Sequence, residues 1–536
     1  MATVQHKTPG VYISEPNSFP PAIVGVDTAV PAFVGYTRTA SDKGKNLKMV
    51  ATRVTSLADY VSKFGLYYSE SYYLLPVGKK ATEGDKVIVN SFSLTEGGDA
   101  YQMVESGAIN FNLYSAVRLF YENGGADCYI VSCGTYDEGA ATKAQLSAGI
   151  DAIQDVVGPT MLLVPDAPTL DRDGYNEIVV KMLRQCLKKQ DRVAILDVWG
   201  ASEVKTNTEM CSAIDLFRSG IAGAPPESLR YGIAYFPSLR TSLVSADEVS
   251  ISAFAGKDAV GTLKDALGKA VEALYPADSP RRAAVAKYVA MVGKSLPDDP
   301  ATRVIPLANR STPEMLTHEE LGQVLRANIP GLGDMFHHAA ESLNTLSPSG
   351  AMAGVFTTTD STRGVWNAPA NVGIAGLIAP TYEINSDQQE DLNVPTAGKA
   401  VNAIRTFPTR GSLVWGARTL DSNSNDWKYI QVRRTMIYVE QSVQTSLTSF
   451  VFAPNTAATW TTVVSMVESF LHGLWAAGGL MGATSGEAYS VRCGLGSTMT
   501  TDDILNGNMI VHVVLQMVRP AEFIELVFKQ QMLASA

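Results

Sequence analysis

Hydrophobic and polar positions alternate in different ways along this chain. Near the start, Ala22 to Tyr36 (AIVGVDTAVPAFVGY) is apolar and β-like. In SLADYVSKFG, Leu57, Tyr60, Val61 and Phe64 recur at helical spacing behind Ser56, a residue suited to an N-cap, so the spacing predicts a helix over 56–65. Residues 112–123, NLYSAVRLFYEN, repeat that logic. Leu113, Ala116, Val117 and Phe120 share a face, and Gly124-Gly125 stop the helix. Cys128 to Ser132 (CYIVS) then reads as a buried strand.

From about residue 140 to 290 the pattern becomes strand–helix–strand. Met161 to Val164, Arg192 to Trp199 and Tyr231 to Phe236 are short continuous apolar runs. Between the first two lies a helix, Asn176 to Lys189, with Ile178, Val179, Met182, Leu183 and Cys186 on one face. Such alternation predicts a parallel sheet covered by helices. Residues 257–292 are Ala-rich, with helical runs expected to break at Pro276 and Pro280, and 293–350 read as irregular.

From Ala351 onward short apolar strands and turns are expected. Within Tyr429 to Tyr438 (YIQVRRTMIY), Arg433 and Arg434 would face opposite sides if the segment is a strand, one inside the fold and one toward a partner; two exposed arginines is the other reading. Thr459 to Leu480 reads as a helix, and Met509 to Val518 (MIVHVVLQMV) as a buried central strand. After Pro520, Ala521 to Lys529 (AEFIELVFK) reads as a further strand. A helix, with Phe523, Leu526 and Val527 at i, i+3 and i+4, is the other reading; the Phe and Val content, the proline and the brevity favour the strand. Residues 1–22 read as an arm, a turn at Thr8-Pro9-Gly10 leading to the short strand Val11-Tyr12-Ile13, fenced by prolines.

The length, 536 residues, is several times the roughly 100–200 of one domain, so two or three domains are expected. A net charge of −10, with no Lys/Arg run longer than two, argues against a nucleic-acid partner. Five cysteines without CxxC spacing suit reduced, mostly buried thiols. The first residues carry no signal-like segment, and the most apolar window, Phe470 to Ala483, is shorter than the ~20 residues of a membrane span, so no membrane insertion is expected.

Candidate chemistry is sparse. Asp166 and Asp197 follow predicted strands, where carboxylates often line clefts, and are the acids a hydrolase-like reading would use. No Gly-rich phosphate loop, GxSxG elbow or HExxH pattern accompanies them, and His337-His338 have no partner at ligand spacing. No catalytic, metal or cofactor residue is assigned.

Several blocks resemble the contractile tail sheath family. TPGVYISE (Thr8 to Glu15) and AVPAFVGYT (Ala29 to Thr37) are similar to its start, and AVRLFYENGGADCYIVS (Ala116 to Ser132) to its helix–Gly-Gly–strand signature. The strongest blocks are GVWNAPANVGIAGL (Gly364 to Leu377), VNAIRTFPTRGSLVWGARTL (Val401 to Leu420) and WKYIQVRRTMIYVEQSV (Trp427 to Val443). VLQMVRPAEFIELVF (Val514 to Phe528) resembles its C-terminal strand. Residues 140–350 match no quoted block.

The resemblance implies an α/β multidomain chain. An α+β sheath core would be built from its N- and C-terminal parts, with an inserted outer α/β domain and extended terminal arms. The expected divisions are an arm at 1–22, the first part of the core with an adjoining domain at 23–135, the insertion at 136–350, the C-terminal core at 351–518 and an arm at 519–536. Subunits of the family form sixfold rings stacked around an inner tube. Their ends add strands to neighbours' sheets, here Val11, Tyr12 and Ile13 at one end and Phe523, Ile524, Leu526, Val527 and Phe528 at the other. Contraction drives the tube through an envelope. The implied partners are further copies, an inner tube protein, and baseplate and terminal cap proteins. Assembly is expected in the cytoplasm, within a phage tail or a released extracellular particle. Glu468 and His472, at i, i+4 in the predicted helix, are candidates to meet the tube; a core helix is the other reading of that segment. The alternatives are an enzyme housed in the α/β segment, or a tube or baseplate component.

Overall fold

The computed structural model describes residues 22–526 except 69, 83, 108–109, 256–259, 295 and 297–315. Val11, Tyr12, Ile13, Val527 and Phe528 lie outside the described residues. The chain divides into two compact units, Asp27–Arg434 and a second made of Met1–Val26 with Thr435–Ala536.

The larger unit is organised by a nine-stranded sheet. Its strands in chain order are β1 (Pro31–Thr37), β2 (Thr52–Val54), β3 (Cys128–Thr135), β4 (Met161–Leu163), β5 (Val193–Asp197), β6 (Gly232–Phe236), β7 (Val372–Gly373), β8 (Asn402–Phe407) and β9 (Gly411–Val414). The spatial order is β7-β9-β8-β6-β5-β4-β1-β3-β2. The strands from β3 across to β8 run parallel, and antiparallel strands close both edges. Every residue of β1, β5 and β6 is buried, as a sheet covered on both faces requires.

The helices follow from local sequence. Helix α1 (Leu57–Phe64) starts at Ser56, whose hydroxyl accepts from the Asp59 amide. Helix α2 (Leu113–Glu122) buries Leu113, Ala116, Val117 and Phe120. Helix α3 (Lys143–Ala152) is followed by α4 (Arg172–Lys189), which buries Ile178, Val179, Met182, Leu183 and Cys186. Helix α5 (Ser349–Arg363) stands where a run of short strands was expected to begin.

A separate apolar core within this unit includes Met103, Phe254, Leu263, Leu267 and Phe336. It is formed by the antiparallel strands Tyr72–Pro76, Lys86–Ser93 and Ala100–Glu105 with the helices Val260–Leu274, Pro280–Met291, His318–Asn328 and Pro330–Leu343. Two expectations change here. Pro280 begins a helix instead of breaking one, because a proline at the first helical position gives up only an amide that has no partner anyway. Residues 318–343 are two helices, not irregular chain; the first opens with a capping box between Thr317 and Glu320. The expected insertion at 136–350 is also divided differently: β4, β5 and β6 lie inside the main sheet, between β1 and β8, while later residues of that span join strands from before residue 106.

The division at Arg434/Thr435 falls within helix α6 (Ile430–Leu447). Tyr429 to Tyr438, considered above as a strand, is therefore mostly helix, and Arg433 and Arg434 are both buried. Residues 429–435 are buried without interruption, so the β-branched run carries no helical period in its polarity. In the smaller unit α6 is followed by α7 (Ala457–Ala476), and then by β10 (Tyr489–Arg492) and β11 (His512–Leu515), which form a two-stranded antiparallel ribbon. The buried central strand expected over Met509 to Val518 is thus four residues long and partly exposed, with Val514 58% accessible. Residues 521–526 have neither helix nor strand in the single chain.

Candidate functional site

The two aspartates of the hydrolase-like reading are buried structural groups. Asp166, just past β4, accepts from the backbone amides of Tyr36 (2.7 Å), Asn112 (2.6 Å) and Leu113 (3.1 Å). It thereby caps α2, whose own N-cap residue Asn112 makes no side-chain cap bond. Asp197, the last residue of β5, accepts from the Ser349 amide (2.9 Å) and hydroxyl (2.6 Å) at the start of α5. Burial pushes each carboxyl up to about 6, against the hydrogen bonds that favour the charged form. Both carboxylates are committed to the helices that flank the sheet.

His337 and His338 sit near Glu341 on an exposed helix face, at 3.7 and 3.1 Å. Among the described residues no three His, Cys, Asp or Glu side chains group as ligands for a metal ion. None of the described helices is long and apolar enough to cross a membrane.

Arg433 and Arg434 are both buried. The Arg433 guanidinium lies 4.5 Å from the Trp427 ring centre and 5.0 Å from that of Tyr231. Arg230 approaches the same two rings, at 5.2 and 5.4 Å. Arg434 forms a fork on Asp360 and stands 4.6 Å over the Phe356 ring. Sequence reasoning singled out the two arginines but missed Asp360, Phe356 and Tyr231, which nothing in local spacing links to them.

The smaller unit has a surface of another kind. Residues 435–536 hold seven acidic and three basic side chains. This unit contributes ten of the eighteen exposed large apolar side chains among the described residues, although it is the smaller of the two. Phe523, Ile524 and Leu526 are 76%, 78% and 73% exposed. The β10–β11 ribbon pairs Tyr489 with Leu515 and Arg492 with His512, and among the described residues neither strand pairs with a third. Two strands alone are marginal in water. On α7 the buried face is Val463, Met466, Val467, Leu471 and Leu474, and Glu468 and His472 are exposed one turn apart on the other side.

Residues 422–531 match the family model of the phage tail sheath C-terminal domain. The whole chain is similar in fold to the sheath complex of PVC, an extracellular contractile injection system, in its contracted state (24% identity, TM-score 0.56, 99% of each chain covered). Its C-terminal segment thus matches a tail sheath domain, and the chain as a whole shares the fold of solved contractile sheath proteins. Two further structures similar to this chain are from the anti-feeding prophage. One is in the sixfold-symmetrised baseplate (26% identity, TM-score 0.55, 98% of this chain and 100% of that one), and the other is in the contracted helical sheath (24%, 0.55, 98% and 100%). A comparison with curated protein sequences gives no match. The matched domain contains Arg433 and Arg434, α7, both strands of the ribbon, and the exposed Phe523, Ile524 and Leu526.

Proposed function

We propose that this sheath subunit polymerises as stacked sixfold rings around an inner tube, and that its ends link the rings by adding strands to neighbours' sheets. Contraction of the cylinder would then drive the tube through a target envelope while those links hold. The partners are further copies of the chain, an inner tube protein, and baseplate and cap proteins. The particle assembles in the cytoplasm as a phage tail or a released injection system.

The observation that carries the reading is the β10–β11 ribbon with edges left unpaired among the described residues, followed in the chain by three exposed apolar residues in a segment without structure of its own. Strand addition uses backbone hydrogen bonds for affinity and alternate side chains for specificity. Each bond contributes a modest ~0.5–1.5 kcal/mol. Repeated over a cylinder such links become cooperative, and each one tolerates rotation of the body it is tethered to.

Negative-stain imaging of the purified full chain and of a variant lacking residues 520–536 tests this. The full chain is expected to form striated cylinders and the truncated chain to remain folded and unassembled. Normal cylinders from the truncated chain would remove the C-terminal strand from the reading, and absence of cylinders from the full chain would remove the reading itself.

A further inference from the structure

One feature of the smaller unit belongs to neither the ribbon nor the tail. The turn between α6 and α7 carries Phe452 fully in solvent, 103% exposed, beside Val451 at 61%. Phe452 has φ +67°. Left-handed backbone is unfavourable for a bulky L-residue and persists where the surroundings over-determine it.

Those surroundings are a set of short hydrogen bonds. The Val451 amide donates to the Thr448 carbonyl (3.2 Å), and the Ala453 amide to the Phe450 carbonyl (2.9 Å). The Thr459 hydroxyl donates to the Pro454 carbonyl (2.6 Å), and the Trp460 indole to Asn455 Oδ1 (2.6 Å). Asn455 Nδ2 in turn donates to the Asn508 carbonyl (2.9 Å), four residues before β11. The turn is therefore braced on both sides and holds an aromatic ring away from the fold that supports it.

Charge is missing here too. From Gln441 to Val467 the chain has no Asp, Glu, Lys, Arg or His. Depletion of charge along the chain on both sides of a rigid aromatic suits an interface core, and a preorganised ring loses little entropy when it docks.

We infer that Phe452, with Val451, is an anchor that inserts into an apolar socket on a second copy of this chain. The inference rests on the sheath reading above. It favours a second copy because the knob is braced through Asn455 to the segment entering β11, the ribbon strand proposed to receive a neighbour's strand. Asn455 thus ties the turn that carries the knob to the chain leading into the ribbon. An inner tube must also be released when the sheath contracts, which a deeply seated Phe would resist.

The test uses the full chain with Phe452→Ser and Phe452→Gly. Glycine keeps the left-handed turn and removes only the ring. Polymer is measured by sedimentation and negative stain, with and without the tube protein, against the unaltered chain. Both variants are expected to keep the unaltered chain's melting temperature, with the glycine variant no lower. Without tube, both are expected to need about tenfold more protein to polymerise, as for loss of one hot-spot side chain. Polymer formed by both variants at the unaltered concentration would overturn the inference. So would a defect seen only in the presence of tube, which would assign the knob to the tube instead. Failure of the unaltered chain to polymerise would overturn the sheath reading, and this inference with it.

Discussion

Arg434 donates to both carboxylate oxygens of Asp360, at 2.8 and 2.6 Å, and the two side chains are only 3% and 4% exposed. A third bond runs from Arg434 to the Thr28 carbonyl at 2.9 Å. A buried pair of this kind is costly to break, because the surviving charge has no solvent to turn to. Asp360→Ala or Arg434→Met alone is expected to destabilise the larger unit by about 3–5 kcal/mol. The joint replacement Arg434→Met with Asp360→Leu should recover most of that loss. Urea denaturation of the three variants checks this, and a double variant as unstable as the singles would mean that the Thr28 contact dominates.

Asp166 and Asp197 are expected to respond differently to the same substitution. Both oxygens of Asp166 accept from backbone amides, so Asp166→Asn must point an N–H at another N–H and leave a buried donor unsatisfied, at a cost of about 1–3 kcal/mol. Asp197 faces one amide and one hydroxyl, and the Ser349 hydroxyl can turn to accept from an amide, so Asp197→Asn should be mild. Thermal melts at neutral pH are expected to rank Asp166→Asn clearly below Asp197→Asn.

The same two groups give the stability a direction with pH. Each carboxyl is raised in the folded state, to about 6 from an ordinary 3.8. The folded chain then holds these protons more tightly than the unfolded chain. Their contribution is therefore full below about pH 3.8 and is lost as pH rises through about 6. Asp197→Asn carries no proton to lose, so its stability relative to the unaltered chain should improve between pH 4 and 7. A difference that stays flat across that range would show that the Ser349 bonds hold the carboxylate charged throughout.

How much of this was legible beforehand depended on how local the physics is. Helix α1 was readable because Ser56 and its four apolar neighbours lie within ten residues, and β1, β5 and β6 because a doubly covered strand is apolar throughout. The capping box of Thr317 and Glu320 and the proline opening at Pro330 are equally local signals, set in a stretch whose many turn residues suggest irregular chain. Helix α6 was not readable from its own residues. Its first residues, up to 435, are buried on every side and so show no polar face, and its arginines are met by groups that include Asp360, Tyr231 and Phe356, between 70 and more than 200 positions away. MIVHVVLQMV misled for a different reason: its apolar run suggests cover on both faces, and within the single chain that cover is incomplete.

On α7, Glu468 and His472 lie exposed on the face opposite the buried Val467 and Leu471. Exposure makes substitutions there nearly silent for folding, typically within about 0.5 kcal/mol. If this face meets the tube, Glu468→Lys should leave the melting temperature unchanged and reduce the tube protein that co-purifies with sheath, more so at low salt. Equal recovery of tube at every ionic strength would exclude Glu468 from that contact.

The tail offers a sharper distinction between backbone and side-chain recognition. Ile524 is 78% exposed and lies in neither helix nor strand in the single chain, so neither a polar nor a rigid replacement should change monomer stability. In an added strand the two replacements differ. Ile524→Ser keeps the amide and loses only a side-chain contact. Ile524→Pro removes an N–H where the ladder would use it, and its ring obstructs the neighbouring strand. If strand addition links the subunits, the proline variant should polymerise much less readily than the serine variant, and both less readily than the unaltered chain, in sedimentation of full-length protein. Equal defects would mean that the tail is held by side-chain burial alone, as a docked helix or an irregular segment would be, and not by a ladder of backbone bonds.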